Sequence, residues 1–227
     1  MIYGEIYPKS IEQGYQKGDT IKIGSCDFIL HYCGFGFLYG TPTERELEET
    51  LTKVQDTNRT ILFTNDKYII DYYRKKDIRT GTRLFFEYKH KEMQVPNLPD
   101  GFKLHPIDRT NIGRIEGRIK PDFSWDKNED FLSKGIGLLI TKDDEPASWA
   151  FSAAVSDTEI DIGVETNEKY RGKGLSTIVA SAMADAVLKQ GKTPVWACDS
   201  NNISSQKVAL KAGFERIGEC TTVVLKG

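Results

Sequence analysis

The chain has little of what marks a metal centre, a disulfide scaffold, a membrane span or a nucleic-acid binder. Its three histidines, His31, His90 and His105, stand alone, without the HxH or HExxH spacing that sets two imidazoles on one ion. No metal is expected. The four cysteines, Cys26, Cys33, Cys198 and Cys220, show no CxxC pair and no regular framework, so reduced thiols in a cytoplasmic protein are the simple expectation. The opening MIYGEIYPKS has neither a basic nor an apolar segment of the kind a secretory signal needs. No apolar run approaches the roughly 20 residues of a membrane helix, so no membrane partner is expected. A basic excess is also missing. The formal net charge is −2, with 14 basic and 14 acidic side chains in residues 1–95 and 17 and 19 in the remainder. Neither part suits phosphate-backbone binding, and no nucleic-acid partner is expected.

What is present is an ordinary globular composition, 39% hydrophobic and 28% charged over 227 residues, enough for one large or two small domains. Residues 1 to about 40 are rich in glycine and tyrosine and short of helical periodicity. Their best strands are 20–23 and 27–32. The segment Cys33–Gly40 interleaves glycines with aromatics, either a buried strand turning through glycine bulges or an aromatic pocket wall. Thr43 and Glu46 form a capping box for a helix carrying Leu47, Leu51 and Val54 and ending near Thr57. A strand at 61–63, a helix from Asn65 or Asp66 to Lys76, and a strand at 84–88 follow. Alternating elements suggest a small α/β domain over residues 1–95. The stretch His90–Gly101, with two prolines and a glycine, reads as a linker.

Residues 100–227 are expected to form a second domain. It begins with a strand at 102–104 and a helix capped by Asp108 or Thr110, carrying Ile112, Ile115 and Ile119 and stopped by Pro121. A short amphipathic segment around 126–133 comes next. Strands at 136–141, 147–155 and 160–164 should form an antiparallel meander. A long helix follows Gly174, its apolar face running from Leu175 to Val187 and its end at Gly191. A strand at 194–197, a helix capped by Asn201 or Asn202, and a final strand or hairpin at 214–225 complete the order.

The most informative stretch is EIDIGVETNEKYRGKGLST, Glu159–Thr177. A strand gives way to a polar loop and then to glycines opening a helix. Backbone N–H groups at such an entrance lack helical partners, and the helix dipole favours an anion there. This is a candidate pyrophosphate cradle. The dinucleotide fingerprint G-x-G-x-x-G fails, since its third position is Thr177 and six residues separate strand from turn. The G-x-x-x-x-G-K-[ST] phosphate loop fails for want of a glycine at the required spacing.

Arg171-Gly172-Lys173-Gly174-Leu175-Ser176 does fit the Q/R-x-x-G-x-G/A acyl-CoA loop, and Asn202-x-x-Ser205 followed by Gly213-Phe214 supplies a second signal. From about Phe102 onward the chain resembles the GNAT acetyltransferases. The segments Trp196–Glu215 and Ile162–Thr177 resemble the bacterial subgroup that includes the zwittermicin A resistance acetyltransferase, whose members also carry an additional N-terminal region. The resemblance implies an α+β GNAT fold, a mixed and mostly antiparallel twisted sheet with flanking helices, preceded by the smaller N-terminal domain. It implies acetyl-CoA as co-substrate and a small-molecule amine as acceptor. Backbone groups around Ile162, Gly163 and Val164 would pair with the pantetheine arm, and one N–H there would stabilise the oxyanion. Arg171 to Ser176 would hold the pyrophosphate. Asn202 would contact the coenzyme or simply cap its helix, and Ser205 lies beside it.

A primary amine has a pKa near 10 and must lose a proton before it attacks. Such enzymes usually supply a carboxylate on or near this strand. Glu159, Asp161 and Glu165 are the candidate bases, the bland alternative being a solvated strand face or, for Glu165, a loop anchor. The family's frequent acid is a tyrosine four residues before the closing glycine, and here that position is Ala209. Cys198 and Ser205 are the candidate replacements, with a buried structural role the alternative for Cys198. An acidic acceptor pocket would suit a cationic polyamine, aminopolyol or amino sugar. The missing tyrosine also motivates a different function, a non-catalytic acyl-CoA-binding or sensing module.

Overall fold

The meander expected over residues 136–164 lies toward one edge of a sheet, with a single strand beyond it on one side and seven on the other. A computed structural model describes residues 3–227. The first elements are α1 (Ile6–Glu12), β1 (Gly18–Ile23), β2 (Cys26–His31), β3 (Phe35–Tyr39), α2 (Glu44–Lys53), β4 (Thr60–Thr64), α3 (Lys67–Lys75) and β5 (Thr80–Glu87). After the irregular 90–101 stretch come β6 (Phe102–Pro106), α4 (Asn128–Lys134), β7 (Gly137–Lys142), β8 (Glu145–Val155) and β9 (Glu159–Thr166). The chain ends with α5 (Leu175–Leu188), β10 (Thr193–Asp199), α6 (Ile203–Lys211) and β11 (Glu215–Lys226).

All eleven strands form one sheet in the order β1-β2-β3-β4-β11-β5-β10-β9-β8-β7-β6. Only β3–β4 and β9–β10 are parallel, so the expected α+β, mostly antiparallel sheet with flanking helices is what forms. The two expected segments, 1–95 and 100–227, share this sheet: β5 is hydrogen-bonded to both β10 and β11, and β11 lies between β4 and β5. Alternation along β9 assigns the layers. Ile160 and Ile162 join the core beneath α5, which packs on β7 to β10, whereas Asp161 faces α1 on the other side.

Local chemistry explains most elements. Thr43 and Glu46 make the reciprocal capping box of α2, and the Glu46 carboxylate also accepts from Ser25 N. Its four hydrogen bonds hold that carboxyl low, to about 2. The Asp143-Asp144 turn has both residues at positive φ, the geometry a tight hairpin needs.

Two expectations fail. No α-helix forms between Asp108 and Pro121, where there is only one 3₁₀ turn, Ile112–Arg114. Gly113 and Gly117 each weaken a helix by about 1 kcal/mol, and the Ile119 backbone is bonded instead to Glu165 and Trp149. A helix exists where none was expected, α1. Its helix-poor sequence, which includes Pro8, is held by burial of Ile6, Tyr7, Pro8 and Ser10. Its local signals are proline in the first turn and Gly14 at φ +73° just past the end. Of the two alternatives for residues 214–225, a strand or a hairpin, the strand forms as β11, with a bulge near Ile217.

Gln16, just after α1, ties this helix to the sheet. Its Nε2 donates to the carbonyls of Ser124 and of Ala153, the unmatched residue at a bulge in β8. His31 packs edge-on to the Tyr7 ring with centroids 5.0 Å apart. His31 Nδ1 accepts from Cys33 N, and burial lowers its pKa to about 3. Between about pH 6.5 and 3 the unfolded chain takes up a proton that the folded one refuses. Stability should therefore fall as pH drops through that window, by on the order of 4–5 kcal/mol from this group. His31→Asn, which keeps an acceptor for Cys33 N, should flatten that slope in urea titrations between pH 7 and 4.

Among the described residues no helix is long and apolar enough to cross a membrane, and no group of three or more His, Cys, Asp or Glu is placed to hold a metal ion. All four cysteines are free and buried.

Candidate active site

Pairing between β9 and β10 stops early. It covers Thr193–Glu159, Pro194–Ile160 and Val195–Asp161 and goes no further. Beyond it β9 stays on β8 and β10 stays on β5, so the two strands part and a wedge opens between Ile162–Val164 and Trp196–Cys198. A cavity of about 660 Å³ occupies the wedge and continues over the α1 side of the sheet.

Asp161 sits at the head of the wedge. It is 4% exposed, and its Oδ2 accepts from the Tyr7 hydroxyl at 2.7 Å. Oδ1 is buried with no hydrogen-bond partner among the described residues. Burial pushes this carboxyl up to about 6, against the pull of the Tyr7 hydroxyl and the Arg83 guanidinium. Tyr7 is itself raised well above the usual phenol range by burial, then by the Asp161 charge. A buried carboxylate with an open lone pair is fitted to take a proton near neutral pH.

The other carboxylates differ. Glu159 lines a separate cavity of about 340 Å³, with Glu5, Lys9 and Glu87, which shares Tyr7 and Asp161 with the larger one. Burial raises its pKa. Glu165 accepts from Ile119 N at 2.6 Å, and a Cβ on Gly117 would lie 2.5 Å from its Oε2. Trp149 Nε1 donates to Ile119 O at 2.7 Å. Glu165 and Trp149 thus pin the Gly117–Ile119 segment, which brings Arg118 and Ile119 to the cavity wall.

At the far end of the wedge, Cys198, Asn202 and Ser205 also line the cavity. The Asn202 side-chain oxygen accepts from Ser205 N and Ser204 Oγ, so it caps α6. Its amide nitrogen has no partner among the described residues. Ser205 Oγ accepts from Trp196 Nε1 at 3.1 Å. Burial raises the Cys198 thiol, which stays protonated at neutral pH. Ala209 is fully buried in α6 and offers no titratable group.

After β9 a 3₁₀ turn, Glu168–Tyr170, leads into the glycine turn. Gly172 and Gly174 have φ +79° and +78°, conformations other residues adopt only with strain. A Cβ at either would meet nothing within 4 Å, so the space over the entrance of α5 is open. The amides from Gly172 to Ser176 find no acceptor among the described residues. Leu175 is buried under the first turn, and Ser176 is half-buried. Arg171 pairs with the exposed Glu168 at 2.9 Å, and Lys173 is exposed.

Sequence reasoning missed two features. Tyr7 lies 154 residues from Asp161 and has no motif of its own. Nor were the four arginines of the larger cavity singled out, Arg59, Arg79, Arg83 and Arg118, whereas the smaller cavity carries Glu5, Glu87, Glu159 and Asp161 against Lys9. Phe35, from the aromatic Cys33–Gly40 segment, is both strand and pocket wall, as it packs on Tyr7 and Phe63 and lies under Arg59 and Arg83.

A family model described as GNAT acetyltransferase matches residues 15–223. The chain is 26% identical over 205 residues to an uncharacterized N-acetyltransferase, YdfB, of Bacillus subtilis (strain 168), covering 86% of this chain and 78% of the relative. Among solved structures it is similar to a GCN5-related N-acetyltransferase-like protein from Streptococcus suis 89/1591. That match has a TM-score of 0.78 and 25% identity, covering 98% of this chain and 93% of the other. A GCN5-related N-acetyltransferase from Kribbella flavida shares the fold at TM-score 0.67 and 15% identity, over 98% and 95% of the two chains.

Proposed function

Since the chain belongs to the GNAT acetyltransferase family, an acyltransferase family that uses acetyl-CoA as co-substrate, we propose that it acetylates the primary amine of a small polar acceptor by direct attack in a ternary complex. The observation that carries this reading is the buried Tyr7–Asp161 pair at the head of the β9–β10 wedge. The amides of Gly172 to Ser176 hold the pyrophosphate at the α5 entrance. Arg171 and Lys173 add charge at the rim, and Asn202 and Ser205 flank the coenzyme arm. The pantetheine runs as a pseudo-strand beside Ile162, Gly163 and Val164, where one N–H stabilises the oxyanion.

Asp161 takes one proton from the acceptor ammonium. The amine nitrogen then attacks the thioester carbon, the C–S bond breaks, and the remaining extra proton on nitrogen passes to the departing sulfur. The products are the amide and the free thiol. This accounting needs no dedicated acid, so Ala209 is no obstacle. Cys198, a weaker acid than an ordinary thiol, serves packing. Glu165 positions the Gly117–Ile119 segment, and Glu159 modulates Asp161 by charge. The likeness to the zwittermicin A resistance subgroup supports an amine acceptor, and the reduced thiols suit the cytoplasm.

The test is release of free thiol from acetyl-CoA in the presence of a panel of small amines. The absence of an acid at position 209 favours one rival, a coenzyme-binding sensor. Thermal stabilisation by acetyl-CoA without thiol release on any amine would select it. Gly174→Ala should raise KM for acetyl-CoA on the order of tenfold, about 1.4 kcal/mol, with kcat little changed. The left-handed backbone is strained by a Cβ, and the methyl intrudes on the cradle. Initial rates over varied acetyl-CoA check this.

A further inference from the structure

We infer that the acceptor carries an oxyanion, a carboxylate or a phosphate, beside its amine, and that Arg59, Arg83 and Arg118 hold it. The inference rests on the transferase reading of this site and specifies its substrate. Four guanidinium groups line the cavity, with Arg79 the fourth, and among the described residues none has a carboxylate within ion-pair distance. The acidic side chains on the same wall are Asp161, bonded to Tyr7, and the exposed Asp199, which accepts from Asn201 N. The cavity therefore presents a positive excess in a chain whose overall charge is slightly negative.

Arg59 and Arg83 are built into the wall, whereas Arg118 stands exposed at its edge. The guanidinium carbons of Arg83 and Arg59 lie 4.9 and 5.3 Å from the Phe35 ring centroid, within cation–π reach of its face. Arg83 Nη2 donates to Ala197 O, while its Nε is buried and without a partner. A buried donor left unpaired is costly, and a ligand oxygen would relieve it. Arg59 loses basicity first to burial, and the Arg83 and Arg118 charges act in the same direction. Like charges crowded on one wall are stabilised by an anion, and guanidinium pairs carboxylate and phosphate with two parallel hydrogen bonds. Arg118 reaches the wall on the segment that Glu165 and Trp149 pin. The same pocket places Asp161 beside the arginines, so an amine and an oxyanion on one small molecule can be engaged together.

The coenzyme's phosphates are the competing source of negative charge. Their cradle, Gly172 to Ser176, contributes nothing to this wall, and the experiment separates the two. Three pairs of amines differ mainly in the oxyanion: O-phosphoethanolamine and ethanolamine, glucosamine 6-phosphate and glucosamine, ornithine and putrescine. Thiol release and calorimetric binding are measured for each, in the wild type, Arg83→Met and Arg118→Gln. Arg118 is exposed and makes no side-chain bond among the described residues, so its variant should fold normally.

The expected result is a kcat/KM on the order of tenfold higher for at least one oxyanion-bearing member over its partner. Each variant should lose most of that preference while KM for acetyl-CoA stays within about twofold. Equal or better use of the partners lacking the oxyanion overturns the inference. So does a KM for acetyl-CoA that rises as the arginines are removed, or failure of every oxyanion-bearing member to bind. Tighter arginine-dependent binding of these members with no thiol release overturns the transferase reading and leaves the arginine assignment standing. Thiol release with cationic amines alone does the reverse.

Discussion

Asp161→Asn is expected to lower kcat/KM by about 10²- to 10⁴-fold, the range for loss of a general base, and yet to make the protein more stable at neutral pH. The two effects share one cause. The folded chain holds Asp161 at about 6, whereas an ordinary aspartate sits at 3.8. Between pH 4 and 6 the folded state thus keeps a proton that the unfolded chain has released, and wild-type stability falls as pH rises through this window. The difference corresponds to about 3 kcal/mol above pH 6. Asparagine retains an oxygen for the Tyr7 hydroxyl but carries no charge to desolvate. Its amide nitrogen meets the unpartnered side of the site, which costs about 1–2 kcal/mol at every pH. The net gain at pH 8 should therefore be about 1–2 kcal/mol, turning into a loss near pH 4. Urea unfolding of both proteins at pH 4 and pH 8 checks this, and the comparison cancels the opposing contribution of His31. The wild-type kcat/KM should also fall about tenfold per unit below pH 6. A variant that keeps full turnover removes Asp161 from the role of base.

A chain beginning at Pro99 is expected not to fold, although it contains every motif of the coenzyme site. It would lack β5, which pairs with β10 from Val195 to Asp199 and with β11 from Glu215 to Val223. Losing β4 as well leaves β11 with no neighbour. α1 goes too, and with it the Tyr7 hydroxyl on Asp161 and the Gln16 amide on the bulge carbonyl. Phe85 and Phe86 leave their core clusters. Burying each large aromatic side chain contributes about 1.5–3 kcal/mol, against a typical total of about 5–15 kcal/mol for a domain. The measurement is the near-ultraviolet dichroism and thermal unfolding of the purified fragment. A cooperative transition with retained acetyl-CoA binding would show that residues 100–227 are autonomous.

Much of this architecture was legible in the sequence because it is written locally. The Thr43/Glu46 box, the alternation along 159–164, the glycines before Leu175 and the Asn202 cap each depend on residues a few positions apart. Such patterns survive whatever packs around them. The failures are tertiary. Ile112, Ile115 and Ile119 have helical spacing, yet Gly113 and Gly117 and the demands of Glu165 and Trp149 hold the segment irregular. The helix α1 has poor propensity and exists because its buried face is needed. Within the site, the strand carrying Asp161 and the turn at Gly172–Gly174 were readable as a contiguous motif. The phenol that meets Asp161 was not, nor were the arginines, drawn from separate segments around residues 59, 79, 83 and 118. Distance in sequence hid them, and with them the positive charge of the larger cavity.

The placement of β11 also fixes when this protein can fold. β4 and β5 are complete once residue 87 has been made, but the strand that must lie between them is residues 215–226. Until that strand leaves the ribosome, two hydrogen-bonding edges stand open and the first half cannot set as a finished unit. Folding by successive domains during synthesis is therefore disfavoured for this chain. The sheet locks only after translation has passed residue 226, through pairings distant in sequence, a topology that folds slowly.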